Sequence, residues 1–455
     1  MAALTQPPAQ DPAIVTPPKM YPSRRVVITG LGVVSPLGDD PAALWEALLA
    51  SRSGVTTLPE SSRDRDLPGF AGQAAGFTES VDHFGPLDKE RQKAIRKGLK
   101  LMCRECVMGV AAAQKALSDA RAAEASYGPD RRGCIFGTDY MLTLPDDFVA
   151  GVARCSAESK NFDFTRWGNE GMGQVTPLWL LKYLPNMPAS HVAIYNDLRG
   201  PNNSLTHREA AGNLALGEAA FTISRGHAEL MVVGATGTRI LPMNAIHALQ
   251  QEEVAGNGVD PAAASRPFDR HRTGMVLGEG AAALVLEEME HALARRAQIL
   301  GEVIGWASSA VADRRGVADR RTALANVLRG VLRSADRGPN DVGHVHAHGI
   351  STRSGDAAEA AAICDVLGPP EQQPPVTAAK SYFGNLGAGS ALVELIVSLM
   401  AMKENVLPPI LNYEQPDPEC PIRAAKKGDA AGKSFVNLSV TLQGQASAVM
   451  VSALQ

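Results

Sequence analysis

The sequence has no long uninterrupted apolar run. Its best candidate, residues 388–402, is broken by Ser390, Glu394 and Ser398, and falls short of the length a bilayer-spanning helix needs. No membrane association is expected. An excess of one charge sign is also missing: the net charge is −4, which argues against a general nucleic-acid binder. Aromatics make up only 5%. Cysteines are few and scattered, at Cys103, Cys106, Cys134, Cys155, Cys364 and Cys420. Cys103-x-x-Cys106 has no second ligand pair, so both read as helix or core residues and no metal site is expected. Nothing near the N-terminus looks like a signal peptide, and a cytoplasmic protein with free thiols is the expectation.

What the chain does have is 45% apolar residues over 455 positions, enough for one large core or two fused ones. Residues 1–22 are rich in proline (Pro7, Pro8, Pro12, Pro17, Pro18, Pro22) and read as a disordered tail. From Arg24 onward, β-branched runs alternate with helical patterns. Strands are expected at 24–30, 132–137, 191–195, 229–235 and 281–287, and then at 301–306, 344–348, 376–380, 435–440 and 448–453. A charged helix at 288–296 marks a boundary, giving halves 23–288 and 289–455. Each half holds β/α alternation and one helix that is apolar on nearly every face, one from Glu209 and one from about Gly387. That pattern predicts a duplicated, layered α/β architecture with two central helices between sheets.

The centre of the chain is residues 200–218, GPNNSLTHREAAGNLALGE. A short apolar run, a tight glycine turn and a buried helix N-terminus is an arrangement on which many enzymes mount a nucleophile. Here that helix end carries Glu209. Thr206-x-x-Glu209 also matches a capping box, in which both side chains would satisfy free N–H groups. His207 and Arg208 stand beside it as potential neutralising partners. None of the six cysteines lies near this turn in sequence.

The first part of the stretch 88–120 is basic, with Lys89, Arg91, Lys93, Arg96, Lys97 and Lys100. Two readings stand side by side: a solvated helix face, or a docking patch for an acidic partner. Residues 138–190, irregular and rich in glycine and proline, read as a cap over a pocket and part of a subunit contact.

Several stretches resemble β-ketoacyl-acyl carrier protein synthases of the elongating type, which have the thiolase-like fold of αβαβα layers. They are RRVVITGLGVVSPLG (24–38), the Gly200-Pro201 turn, SRPFDRHRTGMVLGEGAAALVLEE (265–288), HAHGISTRSGDAAE (346–359), AAKSYFGNLGAG (378–389) and VLPPILNYEQPDPEC (406–420). The resemblance implies a nucleophilic cysteine at the buried helix, two histidines, a GFGG gating loop, and a lysine and glutamate that hold the histidines. This chain departs from that set. Glu209 stands at the cysteine position and Asn385 at the second histidine, and Val440, Thr441, Leu442 and Gln443 replace the GFGG loop. His348, Lys380, Asp356 and Glu359 match the family.

A carboxylate is a poor acyl acceptor compared with a thiolate. Asn385 does not exchange protons as a histidine does, and Val440 and Leu442 stiffen the gate. The resemblance therefore implies a non-condensing partner subunit, similar in logic to the chain-length factors that pair with a cysteine-bearing homologue. In that reading the partners are such a homologue or a second copy, together with acyl carrier protein docked at Arg91, Lys93 and Lys97, and no cofactor is implied. In the family the region of 191–195 pairs across a two-fold axis, so Ile194 is expected in an interface. Two alternatives stay open: a decarboxylase or thioester hydrolase using Glu209 as a base if burial raises its pKa, or an ordinary 3-oxoacyl synthase.

Overall fold

In the computed structural model, the described residues are 24–59, 67–156 and 161–454; the proline-rich tail lies outside them. Among the described residues there are twelve strands: β1 (Val26–Val34), β2 (Val55–Thr57), β3 (Phe70–Gly72), β4 (Arg132–Thr138), β5 (Asn202–Thr206), β6 (Leu230–Thr238), β7 (Glu279–Glu288), β8 (Gly301–Ala310), β9 (His344–His346), β10 (Val376–Thr377), β11 (Ser434–Val440) and β12 (Gln445–Ser452). β2 and β3 form a small separate ribbon. The rest order as β10-β9-β11-β12-β8-β1-β7-β6-β4-β5.

The order is a duplication. Reading outward from the middle, β1-β7-β6-β4-β5 runs antiparallel, antiparallel, parallel, parallel. The other half, β8-β12-β11-β9-β10, has the same sequence of directions. The halves join where β1 meets β8, at Val27 opposite Glu302 and Ile28 opposite Gly301. The duplicated α/β architecture expected from the sequence is thus observed.

Between the halves lie the two buried helices, Ala211–Ser224 and Ser390–Glu404. The first packs on β4 and β6 and also on β12 and β8, and it touches the second. Ala211, Ala215, Ala219 and Ala220 are fully buried; small, high-propensity side chains let sheet and helix approach closely. Gly137 in β4 shows how tight the fit is, because a Cβ there would sit 2.6 Å from the Ala211 carbonyl carbon. Asn213 ties the helix to the other half, donating from Nδ2 to the Asn437 carbonyl at 3.2 Å and accepting from Asn437 Nδ2 at 2.9 Å.

Three local expectations are corrected. Residues 191–195 are not a strand but part of the helix Met187–Asn196. Pro188 suits the first helical turn, and a five-residue apolar run cannot by itself separate helix from strand. Ile194, expected in an interface strand, stands 72% exposed on that helix. The strand feeding the central turn is instead the polar β5, on the outer edge of the sheet. Finally, β10 is only Val376–Thr377, and Lys380 already opens a helical turn, Lys380–Phe383.

Cys103 and Cys106 are buried free thiols at the start of the helix Arg104–Asp119, as expected of core residues. Among the described residues no helix is long and apolar enough to cross a membrane.

Candidate active site

The site forms where β4 and β6 end and the two buried helices begin. From β5 the chain enters a single 3₁₀ turn, Arg208–Ala210. Arg208 takes φ 50°, a left-handed conformation costing a non-glycine residue roughly 1–3 kcal/mol. Its side chain is anchored, Nη1 donating to Gln251 Oε1 at 2.8 Å and Nη2 to Glu252 Oε1 at 3.0 Å. The following helix has no side-chain cap. The capping box is therefore not formed, and Thr206 Oγ1 instead meets Thr138 Oγ1 at 3.2 Å.

Glu209 is engaged elsewhere. Its Oε1 accepts from Arg239 Nη2 in a short contact and from Asn385 Nδ2 at 3.1 Å. Its Oε2 lies 3.6 Å from Arg208 Nε. Arg239, completely buried at the end of β6, also pairs with Asp139 at 2.9 Å and donates to the Tyr140 hydroxyl at 3.2 Å. Burial alone would raise the Glu209 carboxyl, but Arg239 and Arg208, helped by His348, hold it well below the usual carboxylate range. Asp139 and Glu252 are pushed up, mainly by burial and by the Glu209 charge, despite the same arginines. Two guanidiniums thus serve three carboxylates, and Glu209, which both approach, keeps its charge.

The expectation that burial could raise Glu209 into the range of a general base is overturned by this pairing. A carboxylate held ionised by two arginines is a weak base. The decarboxylase or hydrolase alternative is not favoured.

The other side of the site comes from the second half. His348 follows β9, and its backbone N–H and that of Gly349 both donate to Glu359, at 2.6 and 2.8 Å. Asp356 accepts from Ile350 and Ser351, each at 3.1 Å, and from Phe268 at 2.8 Å. The two acids therefore set the loop that carries His348. Lys380 Nζ donates to the His348 carbonyl at 2.8 Å, lies 3.3 Å from His348 Nδ1, and pairs with Glu394 at 2.5 Å. Burial, reinforced by the Lys380 charge, pushes the His348 imidazole well below its ordinary value. Burial lifts Glu359 and Glu394 to about 7 and Asp356 to about 6.

Asn385 Oδ1 accepts from Gly387 N at 3.0 Å and Ser390 Oγ at 3.2 Å, so its amide closes the start of the second buried helix while its Nδ2 reaches Glu209. The stretch 440–443 is part of a tight hairpin. Val440 ends β11 opposite Ala446, Thr441 N donates to the Gln445 carbonyl at 2.8 Å, and Gly444 N to the Thr441 carbonyl at 3.0 Å. Gln445 Oε1 then meets His207 Nδ1 at 3.1 Å, tying the hairpin to the central turn.

The structure brings together Glu209, Asn385 and His348, with Lys380 and Glu359 behind the histidine. Arg91, Lys93 and Lys97 lie apart on the helix Lys89–Gly98. Lys93 and Lys97 are exposed; Arg91 is half-buried, with Nε donating to the Tyr195 carbonyl at 3.2 Å. Sequence reasoning missed Arg239, Asp139, Glu252 and the role of Glu394. A signal existed for two of them: an arginine directly after a strand buried throughout, and a lone glutamate inside an otherwise apolar helix.

Family models for the β-ketoacyl synthase N-terminal and C-terminal domains match residues 23–292 and 300–414. The 3-oxoacyl-[acyl-carrier-protein] synthase 2 of Synechocystis sp. is 32% identical over 407 residues, spanning 87% of this chain and 90% of that protein. A β-ketoacyl synthase from Burkholderia phymatum aligns with TM-score 0.81 and 28% identity, over 95% of this chain and 100% of that one. The ishigamide ketosynthase/chain length factor aligns with TM-score 0.76 and 25% identity, over the same shares of 95% and 100%. Sequence and fold agree over nearly the whole described length, and this chain belongs to the β-ketoacyl synthase family.

Proposed function

We propose that this chain is a non-condensing subunit of a β-ketoacyl synthase pair that builds fatty acid or polyketide-like chains on acyl carrier protein. The observation that carries this reading is the Glu209–Arg239 pair: the buried carboxylate that the resemblance puts at the family's nucleophile position is locked to a buried arginine. Asn385 occupies the second histidine position and donates to that same carboxylate. Neither residue offers acyl transfer. The scaffold around His348 is intact, which fits a subunit that still has to present the family's surfaces.

Two relatives favour the same setting. One is named for 3-oxoacyl synthesis on acyl carrier protein, and the other combines a ketosynthase with a chain length factor. β5 leaves one edge of the sheet open, with backbone groups free to pair with another chain. The partner in this reading is a cysteine-bearing homologue, or a second copy of this chain, buried over more than about 2,000 Å² in total. Lys93 and Lys97, with Arg91, form the docking face for the acidic carrier protein.

The test is reconstitution. The chain alone should give no condensation of acyl and malonyl carrier proteins above a no-enzyme control, and should form a stable complex with a cysteine-bearing homologue. Product from the chain alone sinks the non-condensing reading. A monomer by light scattering, with and without candidate partners, sinks the partner-subunit reading.

A further inference from the structure

At the opposite edge of the sheet from Glu209, where β4 and β6 begin, lies a pocket of about 250 Å³. It is walled by the ends of the helices Arg104–Asp119 and Met187–Asn196, and the first residues of β4 and β6, Arg132 and Leu230, line it. Three arginines line it, Arg91, Arg121 and Arg132, against the single acidic residue Glu124. Leu198 and Leu230 supply apolar wall.

Two of these arginines are held in place by the fold. Arg132 donates from Nε to the Tyr127 carbonyl at 3.0 Å and from Nη2 to the Ala125 carbonyl at 2.7 Å. Arg91 donates from Nε to the Tyr195 carbonyl at 3.2 Å. Among the described residues Arg132 Nη1 and both terminal nitrogens of Arg91 have no hydrogen-bond acceptor, and Arg91 Nε lies 3.8 Å from Asp88 Oδ2. Arg121 meets Glu124 only at 3.7 Å, with both side chains more than half exposed. A second observation comes from the wall: Gln114 is 2% exposed and its Nε2 has no hydrogen-bond partner.

We propose that this pocket binds a small organic acid, with its carboxylate or phosphate-ester oxygens held by Arg91, Arg121 and Arg132 and its short apolar body against Leu198 and Leu230. Pre-oriented guanidiniums in a partly enclosed site suit oxyanions of either kind, and the volume, below that of drug-sized sites, admits only a small one. The ligand would not reach Glu209, which sits at the other ends of the same strands.

Calorimetric titration of the full chain with butanoate and with butyl phosphate tests this, with butanamide as the neutral control. At least one anion should saturate with a Kd below about 1 mM, and the better of the two identifies the head group. Arg121→Glu, at an exposed position, should weaken it at least tenfold. Saturation by neither anion, equal binding of butanamide, or an unchanged Kd in Arg121→Glu overturns the proposal.

Discussion

The two buried helices begin in the same place in a duplicated fold but in different electrostatic surroundings. At the start of Ser390–Glu404, Lys380 pairs with Glu394 and holds His348, while Glu359 and Asp356 bind the backbone of the histidine loop. At the start of Ala211–Ser224 the residues form a different, tightly paired group. Arg239 and Arg208 neutralise Glu209, and Asn385 reaches across from the other half. The difference teaches that Glu209 does not act as a single residue here. A buried charge without a partner is costly, so the carboxylate and its arginines are coupled.

The largest effect should come from breaking that coupling. Arg239→Met removes the shared cation and strands Glu209 beside Asp139, at an expected cost of about 3–5 kcal/mol. Adding Glu209→Gln should recover at least about 1 kcal/mol, the signature of a direct pair. Chemical denaturation of the two single variants and the double variant checks this, and additive losses would show the groups to be independent. For the same reason Glu209→Cys should melt lower than the parent and still fail to condense, because Arg239, Asn385 and the closed 440–443 hairpin remain. Condensation by that single variant in a carrier-protein assay would show that the arginine lock matters less than its geometry suggests.

Acidity should separate the two helix starts. Glu209 is depressed in the fold, so its contribution is present above the unfolded carboxylate value and is lost as the pH falls toward its folded value. Glu359 and Glu394 are raised to about 7. Between the unfolded value and 7 the folded state therefore binds more protons, and stability falls as pH rises through that window, by at most about 1.4 kcal/mol per pH unit for each group. Melting curves from pH 4.5 to 7.5 should show this decline, and Glu394→Gln should flatten it. An unchanged slope would place the titration elsewhere.

The smallest effect is expected on the surface. Charge reversal at Lys93 and Lys97 should weaken association with an acidic carrier protein severalfold, and more at low salt, where screening is weaker. Binding unaffected at every ionic strength would return this helix to an ordinary solvated face.

The sequence by itself determined the α/β fold class, the duplication and the two buried helices, while the resemblance to the family supplied the expectation that Glu209, His348, Lys380 and Asn385 share a site. Those features are written in local periodicity and in motifs of contiguous residues, which need no knowledge of the rest of the chain. It did not determine that residues 191–195 are helical, since a run so short suits either state until its neighbours pack on it. Nor did it determine what Glu209 does. Thr206-x-x-Glu209 satisfies the capping pattern as spelled, yet the carboxylate turns to Arg239, thirty residues on. Arg239, Asp139 and Glu252 come from separate strand and helix ends, and only the tertiary structure brings them to one point. There the exclusion of water makes ion pairing, instead of capping, the way to satisfy a buried charge.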